Sequence, residues 1–317
     1  MNLKGQNCLG IRDKKSVNMP LKSLLLMVMI MGLLACERED AGKAEPSFSH
    51  QAPETTKDYV FGVHPLHNPV RLFAIFGPLI DLLNGSIPNV KFRLEASRDY
   101  DEFEKKLYGR QFDFALPNPY QTIKAMDHGY HVIAKMGDDH KFKGIILVRK
   151  DSGIREISDL KAKKVAFPAR TALAATLMPQ YYLHTHGLNV NRDIEIKYVG
   201  SQESSILNVY LGDVAAATTW PLPWEMFQQD HPELAQELTV QWQTDPMINN
   251  SVMARDDVPA NIAMGVARIL DSLHTTREGN EILARIQLSR FELADNSRYR
   301  DVEKFLAKFS KQVRRLD

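Results

Sequence analysis

From residue 58 to residue 309 the chain alternates short apolar runs with stretches of helical spacing, and few architectures accept that pattern. Each short run reads as a strand and each periodic stretch as a helix, which together specify an α/β fold. A first set comprises strands at 59–63, 90–94 and 112–116 and helices at 70–83, 100–107 and 119–128. Ser97 or Asp99 is placed to cap the second helix, and Asn118 followed by Pro119 to open the third. A second set has strands at 145–148, 164–167, 194–199 and 214–218, a helical turn at 157–160, and helices at 172–184 and 203–211. The chain then returns in extended form at 245–252, forms an amphipathic helix at 260–270 and ends in a helix at 297–309. The two sets share their order of elements without sharing sequence.

Composition narrows the function classes. The formal net charge is +1, with 44% hydrophobic and 25% charged residues. No basic stripe interleaved with aromatics is present, so nucleic acid is not an expected partner. Cys8 and Cys36 are the two cysteines, and both precede the folded part. A Cys-ligated metal or a Cys nucleophile is therefore excluded there. The start of the chain reads as an address. Lys14, Lys15 and Lys22 precede the apolar run 24–34, which is shorter than the about 20 residues that span a bilayer and suits a signal peptide. Leu33-Leu34-Ala35-Cys36 resembles a bacterial lipobox, which implies cleavage before Cys36 and a lipid on its thiol. Residues 1–36 are thus expected to be a lipoprotein signal, with Met19 as a sufficient start, and 37–57 a disordered tether. Glu37, in place of Asp after the Cys, points to the outer membrane.

Four stretches of the remaining chain resemble one family. They are Phe61-Gly62-Val63-His64-Pro65-Leu66-His67-Asn68-Pro69; residues 142–152, continuing through Ile157, Asp159, Leu160 and 163–167; residues 201–203 and 211–216; and Phe291, Asp295 and Tyr299. Their order and spacing are similar to the phosphate/phosphonate/phosphite-type periplasmic solute-binding proteins of ABC transporters. The resemblance implies the two-lobed type II periplasmic-binding-protein fold, with residues 58–141 plus 244–317 as lobe one and 142–243 as lobe two. It implies a small anionic solute in the cleft, and an ABC permease as partner, or a membrane sensor protein if the same clamshell reports rather than transports. No cofactor and no metal are implied, and a monomer is expected.

In open α/β sheets ligands sit beyond the C-terminal ends of the strands, where helix N-termini favour anions. Four junctions are placed there. In the first, His64, His67 and Asn68 either donate hydrogen bonds to ligand oxygens or form a solvated turn; the His-x-x-His spacing lacks a nearby acidic or Cys partner for a metal. In the second, Asn118 is an N-cap that also aims free amides, and Tyr120 closes over the ligand or packs. In the third, Arg170 is the expected cation, suited to a bidentate pair with an oxyanion, beside Thr171. In the fourth, Ser201 is a cap and Gln202 stands where related chains often carry His. Thr219 and Trp220 end a strand at the cleft, and Trp220 and Trp224 either wall the pocket or join the core. The run Thr171-Ala172-Leu173-Ala174-Ala175-Thr176 departs from the hydroxyl-rich turn of phosphonate binders, which leaves room for a larger or less charged ligand with an apolar part against Ala174 and Trp220. Gly-x-Ser-x-Gly, His-Glu-x-x-His and Gly-rich phosphate-loop motifs are absent, so no enzyme activity is expected.

Overall fold

The computed structural model describes residues 56–316. The signal, Cys36 and nearly all of the expected tether lie outside the described residues. Among those residues no helix is long and apolar enough to cross a membrane.

Strands and helices alternate as the hydrophobic pattern requires. In order the chain forms β1 (Lys57–Val63), α1 (Pro69–Ser86), β2 (Val90–Glu95), α2 (Tyr100–Tyr108), β3 (Phe114–Leu116), α3 (Pro119–Met126) and β4 (Tyr130–Met136). It then forms β5 (Ile145–Arg149), β6 (Lys164–Phe167), α4 (Met178–Thr185), β7 (Glu195–Tyr198), α5 (Gln202–Tyr210), β8 (Ala216–Thr219), α6 (Pro221–Asp230), α7 (Pro232–Ala235) and β9 (Leu238–Gln243). The last elements are β10 (Ser251–Arg255), α8 (Ala260–Ser272), α9 (Arg277–Ile286), β11 (Phe291–Leu293) and α10 (Arg300–Gln312).

These build two sheets. The first has the order β11-β4-β10-β3-β1-β2 and the second β7-β6-β8-β5-β9. β1 lies parallel to β2 and β3, and β6 parallel to β7 and β8. β10 pairs antiparallel with β3 and β4, and β5 antiparallel with β8 and β9. The strand that follows each crossing between sheets, β5 or β10, thus runs against the parallel strands of the sheet it enters. Lys57 already pairs with Val90, so the first sheet starts inside the expected tether.

Tyr59, Phe61, Phe92 and Phe114 form the aromatic heart of the first sheet, with ring centroids 5.6–6.1 Å apart. One buried cluster runs from these residues into the second sheet through Phe142, Leu173 and Trp220. A smaller cluster covers the other face of the second sheet.

Several elements differ from the sequence expectation. The helix expected at 172–184 opens with a wide π-turn, Leu173–Leu177. Pro179 has no N–H to return to the Ala175 carbonyl, and that carbonyl accepts the Thr218 hydroxyl instead. Residues 245–250 cross between sheets without regular pairing, and β10 begins only at Ser251. The terminal helix starts as a 3-10 turn, Asn296–Tyr299. β4, β9, β11, α6, α7 and α9 were not anticipated. β4 hides its strand pattern behind Lys135, which is 1% exposed and held by Asp139 at 2.9 Å and Glu292 at 3.0 Å.

The two crossing segments are tied to each other. The Gly144 N–H donates to Thr244 Oγ1 at 3.0 Å and the Thr244 N–H to the Gly144 carbonyl at 2.9 Å. A Cβ at Gly144 would lie 2.5 Å from the Ala174 carbonyl oxygen and 2.6 Å from Pro179 Cγ. Gly144→Ala therefore forces the crossing away from the π-turn and should cost about 1–3 kcal/mol, read as a lowered urea midpoint with an unchanged slope.

Candidate ligand-binding site

Parallel pairing brings the turns after β1 and β3 together at one edge of the first sheet, and those after β6 and β8 together in the second. The turns meet around a small cavity. The first sheet contributes His64 after β1, Tyr100 at the start of α2, Asn118 at the start of α3 and Asn250 before β10; the second contributes residues 172–175, Gln202 and Trp220. Phe142, on the crossing, packs on Trp220 with ring centroids 5.3 Å apart.

His64 is 2% exposed, and its Nδ1 lies 2.8 Å from the Leu116 carbonyl oxygen. A carbonyl only accepts, so Nδ1 carries the proton. Burial lowers the His64 pKa to about 4, the Leu116 bond opposing only in part, so the ring is neutral at neutral pH. Gln202 Nε2 donates to the Tyr100 hydroxyl at 3.2 Å, and Gln202 Oε1 accepts from Thr219 Oγ1 at 2.8 Å. The Tyr100 hydroxyl thereby keeps its own hydrogen to donate; burial raises its pKa. Asn250 is fully buried with no hydrogen-bond partner for Oδ1. Its backbone is fixed by Met136 N–H on the Asn250 carbonyl at 2.8 Å and by Tyr299 Oη on the preceding carbonyl at 2.7 Å.

Backbone donors complete the wall. Asn118 caps α3 through Oδ1, which accepts the Tyr120 N–H at 2.9 Å, and Gln121 closes the capping box. The π-turn has no side-chain cap, so its first amides, around Leu173–Ala175, lack an intrahelical partner where the wall meets the cavity. No Lys, Arg, Asp or Glu lines the cavity among the described residues. Glu104 lies behind Thr171 and Gln121; it accepts the Thr171 hydroxyl and Gln121 Nε2, and burial raises its pKa.

The structure therefore brings together His64, Asn118, Gln202 and Trp220 of the expected residues. Thr219 stands behind Gln202 and orients it. The Thr171 carbonyl accepts from Asn118 Nδ2 at 3.3 Å, which joins the two sheets at the cavity edge. Tyr120 is buried and does not line the cavity. His67, Asn68 and Ser201 line a neighbouring depression with Arg71 and Asp230, whose side chains pair between α1 and α6. There Asn68 caps α1, accepting the Arg71 N–H at 3.0 Å, and Ser201 caps α5, accepting the Ser204 N–H at 3.0 Å. Burial, aided by Arg71, lowers the His67 pKa to about 3.

Arg170 is not the cation of the cavity. It is exposed, and its guanidinium lies 5.7 Å from the Tyr198 ring. Tyr198 ends the edge strand β7, so this contact draws the side chain outward. Trp224 belongs to the smaller core, stacked on Phe227 at 6.0 Å. Tyr100, Phe142 and Asn250 were missed by sequence reasoning. Asn249-Asn250 directly before a strand is a signal for Asn250, since buried amides need a reason, and none marks Tyr100 or Phe142. Among the described residues no three His, Cys, Asp or Glu side chains are grouped to hold a metal.

Comparison with known proteins gives a consistent family. Residues 61–299 match the model of the ABC transporter, phosphonate, periplasmic substrate-binding protein family. The probable ABC transporter phosphite binding protein PhnD1 of Prochlorococcus marinus is 23% identical over 193 residues, which is 57% of this chain and 65% of that relative. The crystal structure of PhnD1 from Prochlorococcus marinus in complex with methylphosphonate superposes with a TM-score of 0.75 at 19% identity, covering 81% of this chain and 99% of that one. A binding protein component of an ABC phosphonate transporter from Pseudomonas aeruginosa has a TM-score of 0.75 at 16% identity, covering 81% and 88%. The fold is thus the two-lobed α/β fold of periplasmic binding proteins. The family binds and transports solutes and is not an enzyme family. With the family model matching from the third residue of β1's apolar core to Tyr299, this chain belongs to the periplasmic substrate-binding proteins of phosphonate ABC transporters.

Proposed function

We propose that this protein captures a small phosphonate-, phosphite- or phosphate-like oxyanion between two lobes, 58–141 plus 244–317 and 142–243, and delivers it to an ABC permease. The observation that carries this reading is the cavity itself. Both sheets supply it, its polar groups are neutral, and the helical turn at its wall, Leu173–Leu177, begins without a side-chain cap. Helix N-termini bind anions without a fixed cation. The missing hydroxyls of the run 171–176 are offset by the amides of this turn and by Tyr100, while Ala174 and Trp220 flank an apolar substituent on the ligand.

Contacts between the lobes support closure over the ligand by hinge bending: Gln202 on Tyr100, Asn118 on Thr171, and the Arg71–Asp230 pair. We extend the proposal to the chain start, where Cys36 carries the lipid that tethers a monomeric receptor in the periplasm, on the outer membrane. The residues Leu33-Leu34-Ala35-Cys36 and Glu37 support that part.

A thermal-shift and calorimetric panel of methylphosphonate, phosphite and phosphate tests the reading. A cognate ligand at a hundred times its Kd should stabilise the fold by about 2.7 kcal/mol, and should be recovered chemically unchanged. Failure of all three to shift the melting curve would end the oxyanion assignment. Gln202→Ala removes the group that holds Tyr100, and should weaken the best ligand by about 10–100-fold, or about 1.4–2.8 kcal/mol. Arg170→Ala should leave Kd within about twofold, because only charges buried against the ligand carry a large loss on truncation.

A further inference from the structure

The cavity holds an unspent hydrogen-bonding group whose character is settled by geometry. The Leu116 carbonyl takes both the His64 N–H, at 3.1 Å, and Nδ1, at 2.8 Å. That carbonyl is fixed by the pairing of β1 with β3, so the tautomer is fixed too. His64 lines the cavity, Nδ1 is spent on Leu116, and Nε2 has no hydrogen-bond partner among the described residues. It is either a lone pair or, if the ring is charged, a second N–H.

Charge decides what that nitrogen can meet. No ionised side chain lines the cavity to offset a dianion, and burying two negative charges unpaired is costly. A protonated oxyanion, P–OH, presents a donor to the Nε2 lone pair. If the proton moves across, an imidazolium faces a dianion. Both arrangements contain the same atoms and the same net charge of minus one.

We infer that the bound oxyanion and His64 Nε2 share a single proton, so that the pocket selects ligands able to carry it, such as phosphonate, phosphite or phosphate, over a sulfonate of the same shape. This rests on reading the cavity as the oxyanion site. A sulfonate has no proton to give, and its oxygen meets a lone pair unless His64 takes a proton from solvent. With a His64 pKa of about 4, that protonation costs about 1,000-fold in affinity near pH 7.

The surroundings of His64 do not supply the proton. From α2, Tyr100 keeps its hydrogen, its ring centroid 6.0 Å from the imidazole, and Glu104 lies beyond it on Thr171 and Gln121. Phe103 packs at 6.2 Å. In its own loop, His67 is neutral. Asn118, Gln202, Trp220 and Asn250, from the other elements, do not titrate.

Opposite pH slopes follow. Phosphonate affinity is flat below the ligand's second pKa and falls about tenfold per pH unit above it. Methanesulfonate affinity rises by up to about tenfold per unit as pH falls from about 7 to about 5.

The test is calorimetry of methylphosphonate at about pH 8.5 in two buffers of different ionisation enthalpy, with nitrogen-15 histidine labelling of the same protein and His64→Gln to assign the His64 signals. One proton taken up per ligand, with the Nε2 resonance moving from the unprotonated toward the protonated range, is the expected result. Zero uptake, or uptake with an unmoved Nε2 resonance, overturns the shared proton. No heat from methylphosphonate, phosphite or phosphate at any pH instead refutes the oxyanion site itself.

Discussion

Because β1, β2 and β3 run parallel, and β6, β7 and β8 likewise, each sheet delivers its strand-to-helix turns to a single edge. Everything at the cavity depends on this. It sets His64 beside the Leu116 carbonyl and Trp220 beside the π-turn, although these groups are far apart in the chain. The antiparallel strands β5 and β10 then let the chain leave one sheet and re-enter the other, with the Gly144–Thr244 bonds tying the two passages side by side.

The cavity is lined by neutral groups held in place by one another. Thr219 holds Gln202, Gln202 holds Tyr100, and the Leu116 carbonyl holds His64. Such chains fix which atom of each side chain remains free, and low dielectric makes an unpaired group in them costly. Charged residues are kept outside: Arg170 on Tyr198, Glu104 behind Thr171, and the Arg71–Asp230 pair in the neighbouring depression.

Local features were legible in the sequence wherever their cause is local. Asn118-Pro119 and Ser201 cap helices as their residue types dictate, and the alternation of elements yields the α/β class. The order of four motifs carried the family. Features that depend on distant contacts were not legible. Gln202 meets Tyr100 across 102 positions, and nothing near Tyr100 announces that partner. Arg170 sits in a junction that favours an anion, yet its direction is set by Tyr198 on a neighbouring strand. Lys135 breaks a strand pattern because its charge is met by Asp139, four residues on, and by Glu292, far away in sequence.

The π-turn at Leu173–Leu177 is pinned to the strand beside it. Thr218 bonds the Ala175 carbonyl through its hydroxyl, while its own carbonyl accepts Ser205 Oγ of α5 at 2.7 Å. Three elements of the second sheet are therefore riveted at one residue. A guest that pulls on the amides of this turn pulls on β8 and α5 together, so force applied at the mouth displaces the half-molecule as a block instead of bending a single loop.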